Sequence, residues 1–381
     1  MANAIVVGGG IGGLTAAAAL SGKGWAVTLH ERASSLEPVG SGLALGPNAL
    51  RALDTIGAGD GVRRLAAMHG DGGVRTAGGA WLSRTSAEAL VARHGDPTVV
   101  LMRSALVDLL TGLLPEGALR LGSTVRSVSP EDGVVVTGDG EERADLVVAA
   151  DGLHSGVRSA LFPGPSPVRY TGLTAWRAVT SGSVGDVAGS ESWGRGRVFG
   201  MTRLADGHAY VYATAKAPEG AVAGDERAEL LRLFGDWHDP IPALLASLSP
   251  DRLIRNDVYA MRRPLPSFHR GRVALLGDAA HPMTPNLGQG ACQAVEDAVV
   301  LAHEASAGGG GLPAYTAARL PRTTAVMRRS FQLARLTALS GTVPVAVRDA
   351  TVRLAGRLGP TAVMRQADEL YRWRPPGTSA P

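Results

Sequence analysis

The opening thirty residues constrain this chain more than any other stretch. Residues 4–7 form a short apolar run suited to a buried strand. The run enters Gly8, Gly9, Gly10, Ile11, Gly12 and Gly13, and then the alanine-rich segment 14–20. This order predicts a strand, a tight glycine turn and a helix. Gly8 can take a turn conformation closed to residues with a Cβ, Gly10 lets a diphosphate approach the backbone, and Gly13 lets the helix sit close to the sheet. The helix opened at Ile11 and Gly12 then points unpaired N–H groups and the positive end of its dipole at the phosphates.

A second strand, residues 26–30, ends in Glu31 followed by Arg32. A carboxylate there can accept hydrogen bonds from both hydroxyls of an adenosine ribose, and it repels a 2′-phosphate. The site therefore fits FAD or NAD and not NADP. Glycine is abundant, at 51 of 381 residues, so the turn gains its specificity from the flanking strand, helix and acid.

The length predicts two or three domains around a substantial core. With 38 basic and 34 acidic residues and no dense Lys/Arg block, nucleic acid is a poor candidate partner. The single cysteine, Cys292, excludes an intramolecular disulfide framework and a cysteine-built metal cluster. Strand-like sequence from Ala4 leaves no room for a signal helix before the glycine turn, and no apolar run approaches the roughly 18 residues of a spanning helix. These features predict a cytoplasmic protein without stable membrane association.

Further along, residues 43 and 45 alternate in a short strand that leads into a helix at 49–55. Residues 70–79 are glycine-dense and weakly periodic, and residues 81–94 read as a small piece of sheet. A strand at 99–102 passes through Arg103 into an amphipathic helix. Candidate strands follow at 119–121, 124–128 and 134–137. The unbroken apolar run 146–150 predicts a strand buried on both faces. After the prolines 163, 165 and 167, aromatic residues and alternation at 198–202 and 210–214 predict an antiparallel sheet with a hairpin turn at Asp206-Gly207. Helices are expected at 225–234, 240–247, 289–306, 315–339 and 343–354, another apolar strand at 273–276, and a frayed end from Trp373.

With Gly8 to Gly13, Arg103, Asp151-Gly152 and Gly277-Asp278 in this order, the chain resembles the single-component FAD-dependent aromatic monooxygenases, the family related to para-hydroxybenzoate hydroxylase and salicylate hydroxylase. The resemblance covers roughly residues 1–340. It implies an α/β fold: a glutathione-reductase-like FAD-binding Rossmann domain with an inserted mixed or antiparallel β-sheet substrate domain and C-terminal helices. On that pattern the FAD domain comprises 1–70, 97–165 and 255–307. The substrate sheet comprises 71–96 and 166–254, a helical segment spans 308–375, and 376–381 form a flexible tail.

The resemblance assigns Glu31 to the adenosine ribose and Arg103 to the flavin diphosphate region, where a planar guanidinium can hold phosphate oxygens. Asp151-Gly152 with Arg158 corresponds to a stretch associated with both FAD and the reduced nicotinamide donor. Asp278 is suited to a ribityl hydroxyl. The segment Pro285, Asn286, Leu287, Gly288, Gln289 passes the isoalloxazine ring, with the N–H groups of Leu287 and Gly288 facing its pyrimidine carbonyl. His281 is expected as a packed structural histidine more than a base, and Cys292 as a small buried hydrophobe.

The activity implied is NADH- or NADPH-consuming hydroxylation of an aromatic or phenolic substrate by O₂, through a flavin C4a-hydroperoxide and without a metal. An epoxidase or N-hydroxylase and a non-catalytic ligand-binding module are the alternatives. Trp176, Arg177, Phe199, Met201, Tyr210 and Tyr212, with Leu43, Leu45 and Pro285 on the flavin side, are the pocket-lining candidates. Arg177 or Tyr210 would partner an anionic substrate oxygen. A monomer and a homodimer both remain open.

Overall fold

A computed structural model of the protein describes residues 1–36, 41–68, 71–164, 167–185, 187–306, 308–357 and 367–378. The opening strand Asn3–Val7 lies inside a six-stranded sheet. It pairs in parallel with Ala26–His30 on one side and Leu146–Ala149 on the other. Val273–Leu275 extends the sheet in parallel beyond Leu146–Ala149, His269–Arg270 closes that edge antiparallel, and Leu119–Arg120 flanks Ala26–His30. Val6, Val147, Val148 and Val273 are fully buried. That burial is why their strands carry no polar alternation.

The helix Ile11–Ser21 packs against the helix Gly290–Ala305. Glycine at position 12 permits this approach, because a Cβ there would stand 2.6 Å from the Leu276 side chain and 3.2 Å from the Ala294 Cβ.

The second layer is a seven-stranded sheet in the order Ile254–Met261, Val168–Val179, Ala209–Lys216, Arg197–Arg203, Ser190–Trp193, Gly72–Thr76 and Trp81–Thr85. Its pairs are antiparallel except Ser190–Trp193 with Gly72–Thr76, which run parallel. Ile254–Met261 pairs with Val168–Val179, so this layer continues past residue 254. One face packs Trp176, Phe199, Met201, Val211 and Ala213 against Leu230, Phe234, Trp237 and Leu244 of the segment 226–246. The other face carries Tyr210 and Tyr212 against Ala44, Val100 and Met102 of a small sheet formed by Gly42–Leu45, Val99–Met102 and Ala67–Met68.

Several local expectations change. Residues 81–94 divide into a strand, Trp81–Thr85, and a helix, Ala87–His94. Ser86 caps the helix by accepting the Ala89 N–H at 3.1 Å, and Gly95 ends it at φ +85°. The glycine-dense stretch holds the strand Gly72–Thr76. Its glycine serves close pairing, since a Cβ on Gly73 would lie 2.2 Å from the Ser83 carbonyl oxygen. Only Ser127–Val128 of the run 124–128 is strand, and an unexpected helix, Gly59–Leu65, precedes Ala67–Met68.

The long helices are Gly311–Thr337, which runs through Pro321, and Thr342–Arg357. The expected frayed end is anchored at its first residue, Trp373, and at the two carbonyls of residues 370 and 371 just before it. Arg51 donates to the Tyr371 carbonyl and to that of Trp373 at 3.0 Å, and Arg322 donates to the Leu370 carbonyl at 2.9 Å. Residues 38–40, Pro165 and 379–381 lie outside the described residues. Among the described residues, no helix is long and apolar enough to cross a membrane.

Candidate functional site

The glycine turn has the geometry of a diphosphate cradle. Gly8 sits at φ +107°, and a Cβ on Gly13 would fall 1.9 Å from the Gly8 carbonyl oxygen, so the turn and the helix touch through backbone alone. At Gly10 the space a Cβ would take is open to 4 Å. Gly10 caps the helix without a side-chain hydrogen bond, which leaves the first-turn N–H groups for an anion. Glu31 does more than wait for a ribose. Its Oε2 accepts the Gly9 N–H at 2.6 Å and its Oε1 the Ala33 N–H at 2.8 Å, so the carboxylate also pins the turn. Arg32 is exposed beside it.

Arg158 joins the second and third motifs. It is 3% exposed, and its guanidinium donates to the carbonyls of Leu153 at 2.7 Å, Asp278 at 3.2 Å and Ala279 at 3.1 Å. Asp151 accepts the Val157 N–H at 3.2 Å through Oδ2, while its Oδ1 is buried with no hydrogen-bond partner among the protein atoms described. Asp278 reaches solvent, yet enough protein surrounds it that burial raises its carboxyl pKa, with His281, Arg103 and Arg158 pulling the other way. Arg103 opens the helix Arg103–Thr111. Burial lowers its pKa, the Asp278 charge opposes that, and the Arg177 charge adds to it. Arg103, Asp278, Arg158 and Arg177 therefore share one electrostatic neighbourhood. With the open cradle and the orphaned Asp151 oxygen, these residues fit a bound FAD.

Behind Asp278 lies a polar network that is fully buried at its centre. Asp297 Oδ2 accepts the Gly277 N–H at 3.0 Å and His281 Nε2 at 2.5 Å, and its Oδ1 accepts Arg319 Nε at 2.6 Å. Burial alone would raise the Asp297 pKa, but His281 and Arg319 hold it down to about 2. Glu296 accepts from Arg319 and Arg322, each at 2.6 Å, and from Asn48 at 2.6 Å. His281 is 1% exposed and serves this network. Gln289 is also drawn into it, accepting from Asn48 at 3.1 Å, so its side chain points into the core.

The loop 285–288 is partly open, with Pro285 and Gly288 exposed and Leu287 half-buried. The Gly288 N–H donates to the Pro285 carbonyl at 2.8 Å instead of facing outward as expected. The helix Gly290–Ala305 begins behind it without a side-chain cap, so first-turn N–H groups are the donors offered on that side. Cys292 is buried, and desolvation pushes its thiol up to about 12.

Pocket-lining candidates separate by strand phase. Arg177, Tyr210 and Tyr212 share the face toward the small sheet, while Trp176, Phe199 and Met201 point to the opposite face and fill the helix-packed core. Leu45 is fully buried in the first layer's core and Leu43 packs against the same core. The neighbours Gly42 and Ala44 instead meet the second sheet. A one-residue shift in an alternating strand exchanges its faces, and sequence alternation alone carries no sign for which face is which. Tyr210 lies beside Arg177 on this face; burial raises its phenol pKa and Arg177 partly offsets that. Arg177 also donates to Asn256 at 3.5 Å.

Sequence reasoning missed Glu191, Asp297 and Gly42. Glu191 stands on the same sheet face and accepts the Tyr212 hydroxyl at 2.7 Å and the Trp193 indole N–H. Its only sequence signal is a lone acid between Ser190 and Ser192. Asp297 sits in the helical run Val295, Glu296, Asp297, where two adjacent acids among apolar residues were the available sign of burial.

Comparison with known proteins agrees with this geometry. The family described as FAD binding domain matches residues 1–330. The chain is 39% identical over 360 residues to an aurachin C monooxygenase/isomerase of Stigmatella aurantiaca, covering 92% of this chain and 93% of that one. It is 35% identical over 311 residues to a 2-heptyl-3-hydroxy-4(1H)-quinolone synthase of Pseudomonas aeruginosa, covering 78% and 79%. Its fold superposes on Klebsiella pneumoniae HpxO complexed with FAD and uric acid with a TM-score of 0.88, at 25% identity and 97% coverage of each chain. The glycine cradle, the Arg158 bridge to Asp278 and these likenesses together place the chain in the FAD-dependent aromatic monooxygenase family.

Proposed function

We propose that the protein inserts one atom of O₂ into an electron-rich nitrogen heteroaromatic ring bearing an oxo or hydroxyl group, at the expense of NADH or NADPH. The observation that carries the substrate reading is the Arg177–Tyr210 pair on the sheet face turned toward Arg103 and Asp278. Quinolone and uric acid, named for two similar proteins, are oxygen-bearing nitrogen heterocycles and support the same class.

Bound FAD would supply the redox chemistry that links the nicotinamide donor to dioxygen. The chain's own residues do the rest. Arg177 presents a permanent positive charge to the substrate oxygen and favours its anionic form, which enriches the ring in electrons. Tyr210 keeps its proton because burial raises its pKa, so it can donate to the same oxygen. Ala44, Met102 and Val179 pack around the tyrosines and keep water away from the reacting ring.

A panel of hydroxyquinolines, quinolones, hydroxypyridines, purines and simple phenols tests the reading through stimulated NAD(P)H oxidation with product mass. The expected result is coupled turnover with a nitrogen heterocycle and a KM at least tenfold higher in Arg177→Met. Turnover confined to simple phenols, or an unchanged KM in that variant, would overturn it.

A further inference from the structure

Arg177, Tyr212, Gly200 and Glu191 form one transverse row across four strands of the second sheet. Arg177 is the register partner of Tyr212, Tyr212 of Gly200, and Gly200 of Glu191. All four therefore stand on one face, the face that carries the Arg177–Tyr210 pair. The Tyr212 ring does not rise from the sheet. It lies over its neighbour, for a Cβ built on Gly200 would fall 2.0 Å from the ring's Cζ and 2.2 Å from Cε1. Only glycine leaves that path open, and along it the hydroxyl reaches Glu191 Oε2 at 2.7 Å. The other carboxylate oxygen is held by the Trp193 indole N–H. Trp193 is in turn fixed by Leu82, Val198 and the Arg348 guanidinium 5.5 Å from its ring. Glu191 is thus anchored from behind and pulls Tyr212 from the front.

We propose that Glu191 is a positioning residue for substrate specificity: it draws Tyr212 flat across Gly200, making a planar floor for a flat ring and leaving Arg177 and Tyr210 to meet the substrate's oxygen. This rests on the function proposed above. A tyrosine held this way offers its π-face to the ring, and its hydroxyl, already donated to Glu191, is withdrawn from the substrate. Burial, and then the Glu191 charge, raise the Tyr212 pKa well above its ordinary value, while burial also raises that of Glu191 and the Trp193 and Tyr212 hydrogen bonds pull it back. A floor of this kind selects by shape: planar bicyclic rings gain stacking area, and substrates with substituents out of the ring plane collide with it.

The test combines FAD-bound crystal structures with steady-state kinetics for Glu191→Leu, Glu191→Gln, Tyr212→Phe and the Glu191→Leu/Tyr212→Phe pair. In Glu191→Leu the Tyr212 ring is expected to leave Gly200. Glu191→Leu and Tyr212→Phe should each raise KM for a planar substrate about tenfold with kcat within about twofold, and the double variant should be no worse than either single. Glu191→Gln, whose amide oxygen still accepts the hydroxyl, should recover most of the affinity. Glu191→Asp replaces the leucine variant if that does not fold, with the same expected rise. A ring still lying over Gly200 in Glu191→Leu, an unchanged KM, or single effects that multiply in the double variant would overturn the proposal. The ring position is read without substrate. If no nitrogen heterocycle is turned over, the functional reading fails while the role of Glu191 is still decided.

Discussion

Arg158 and Asp278 lie 120 positions apart in sequence, and the guanidinium of the first donates to the backbone carbonyl of the second at 3.2 Å. With the bonds to Leu153 and Ala279, this fork ties the Asp-Gly turn that follows one core strand to the Gly-Asp turn that follows its neighbour. On the site proposed here, the arginine braces the FAD wall from behind. Arg158→Met should strand buried carbonyls at roughly 1–3 kcal/mol per lost partner, lower the melting temperature and weaken FAD retention at least tenfold. Thermal unfolding and FAD titration of the apoprotein check this. Wild-type values for both would show that the turns hold without the fork.

Asp297 gives the fold a pH signature. Its carboxyl is held at about 2, below the ordinary value of 3.8, so its contribution is fully present above about pH 4 and is lost as pH falls through about 2. That contribution is on the order of 2 kcal/mol near neutral pH. Asp297→Asn should be less stable than wild type at pH 7 by about 3 kcal/mol, since it leaves Arg319 and His281 poorly paired. The gap should narrow between pH 4 and 2. Urea unfolding across that range measures it, and a gap independent of pH would remove Asp297 as the source.

Glu31, which we propose for the adenosine ribose, also sets the shape of the turn, because one carboxylate holds the Gly9 N–H at 2.6 Å and the Ala33 N–H at 2.8 Å. Glu31→Gln replaces one acceptor oxygen with a donor that opposes an N–H group. FAD affinity should fall about tenfold or more, with the fold intact by circular dichroism. Equal affinity would mean that the backbone alone sets the turn.

The strand, glycine turn and helix proposed for the nucleotide were legible because their signals are local. A glycine turn between an apolar strand and a helix, an acid at the next strand's end and two short motifs lie close to the residues they act on. The substrate face was not. Trp176 and Arg177 are adjacent, and only the tertiary packing of Leu230, Phe234 and Trp237 sends the first to the core and leaves the second on the opposite face. Leu45 was misplaced for the same reason, since strand phase in Gly42–Leu45 is set by which layer lies on each side. Asp297 and Glu191 depend on partners 22 and 21 positions away, which no short window joins.

Gly42 makes the layers meet closely. A Cβ there would lie 2.4 Å from Cγ of the Tyr210 ring, so the small sheet can rest on the tyrosine only while position 42 is bare. Gly42→Ala should displace Tyr210 and raise substrate KM several-fold while FAD affinity stays near wild type. A matched loss of both would place Gly42 in the cofactor wall instead.

The most direct measurement supplies the FAD-loaded enzyme with NAD(P)H, a nitrogen heteroaromatic that stimulates its oxidation, and isotopically labelled dioxygen, and follows the product by mass spectrometry. The expected product carries one labelled oxygen atom, formed in proportion to the NAD(P)H consumed. Unlabelled substrate recovered beside an equivalent of hydrogen peroxide, under every substrate of the panel, would contradict the monooxygenase account of this pocket.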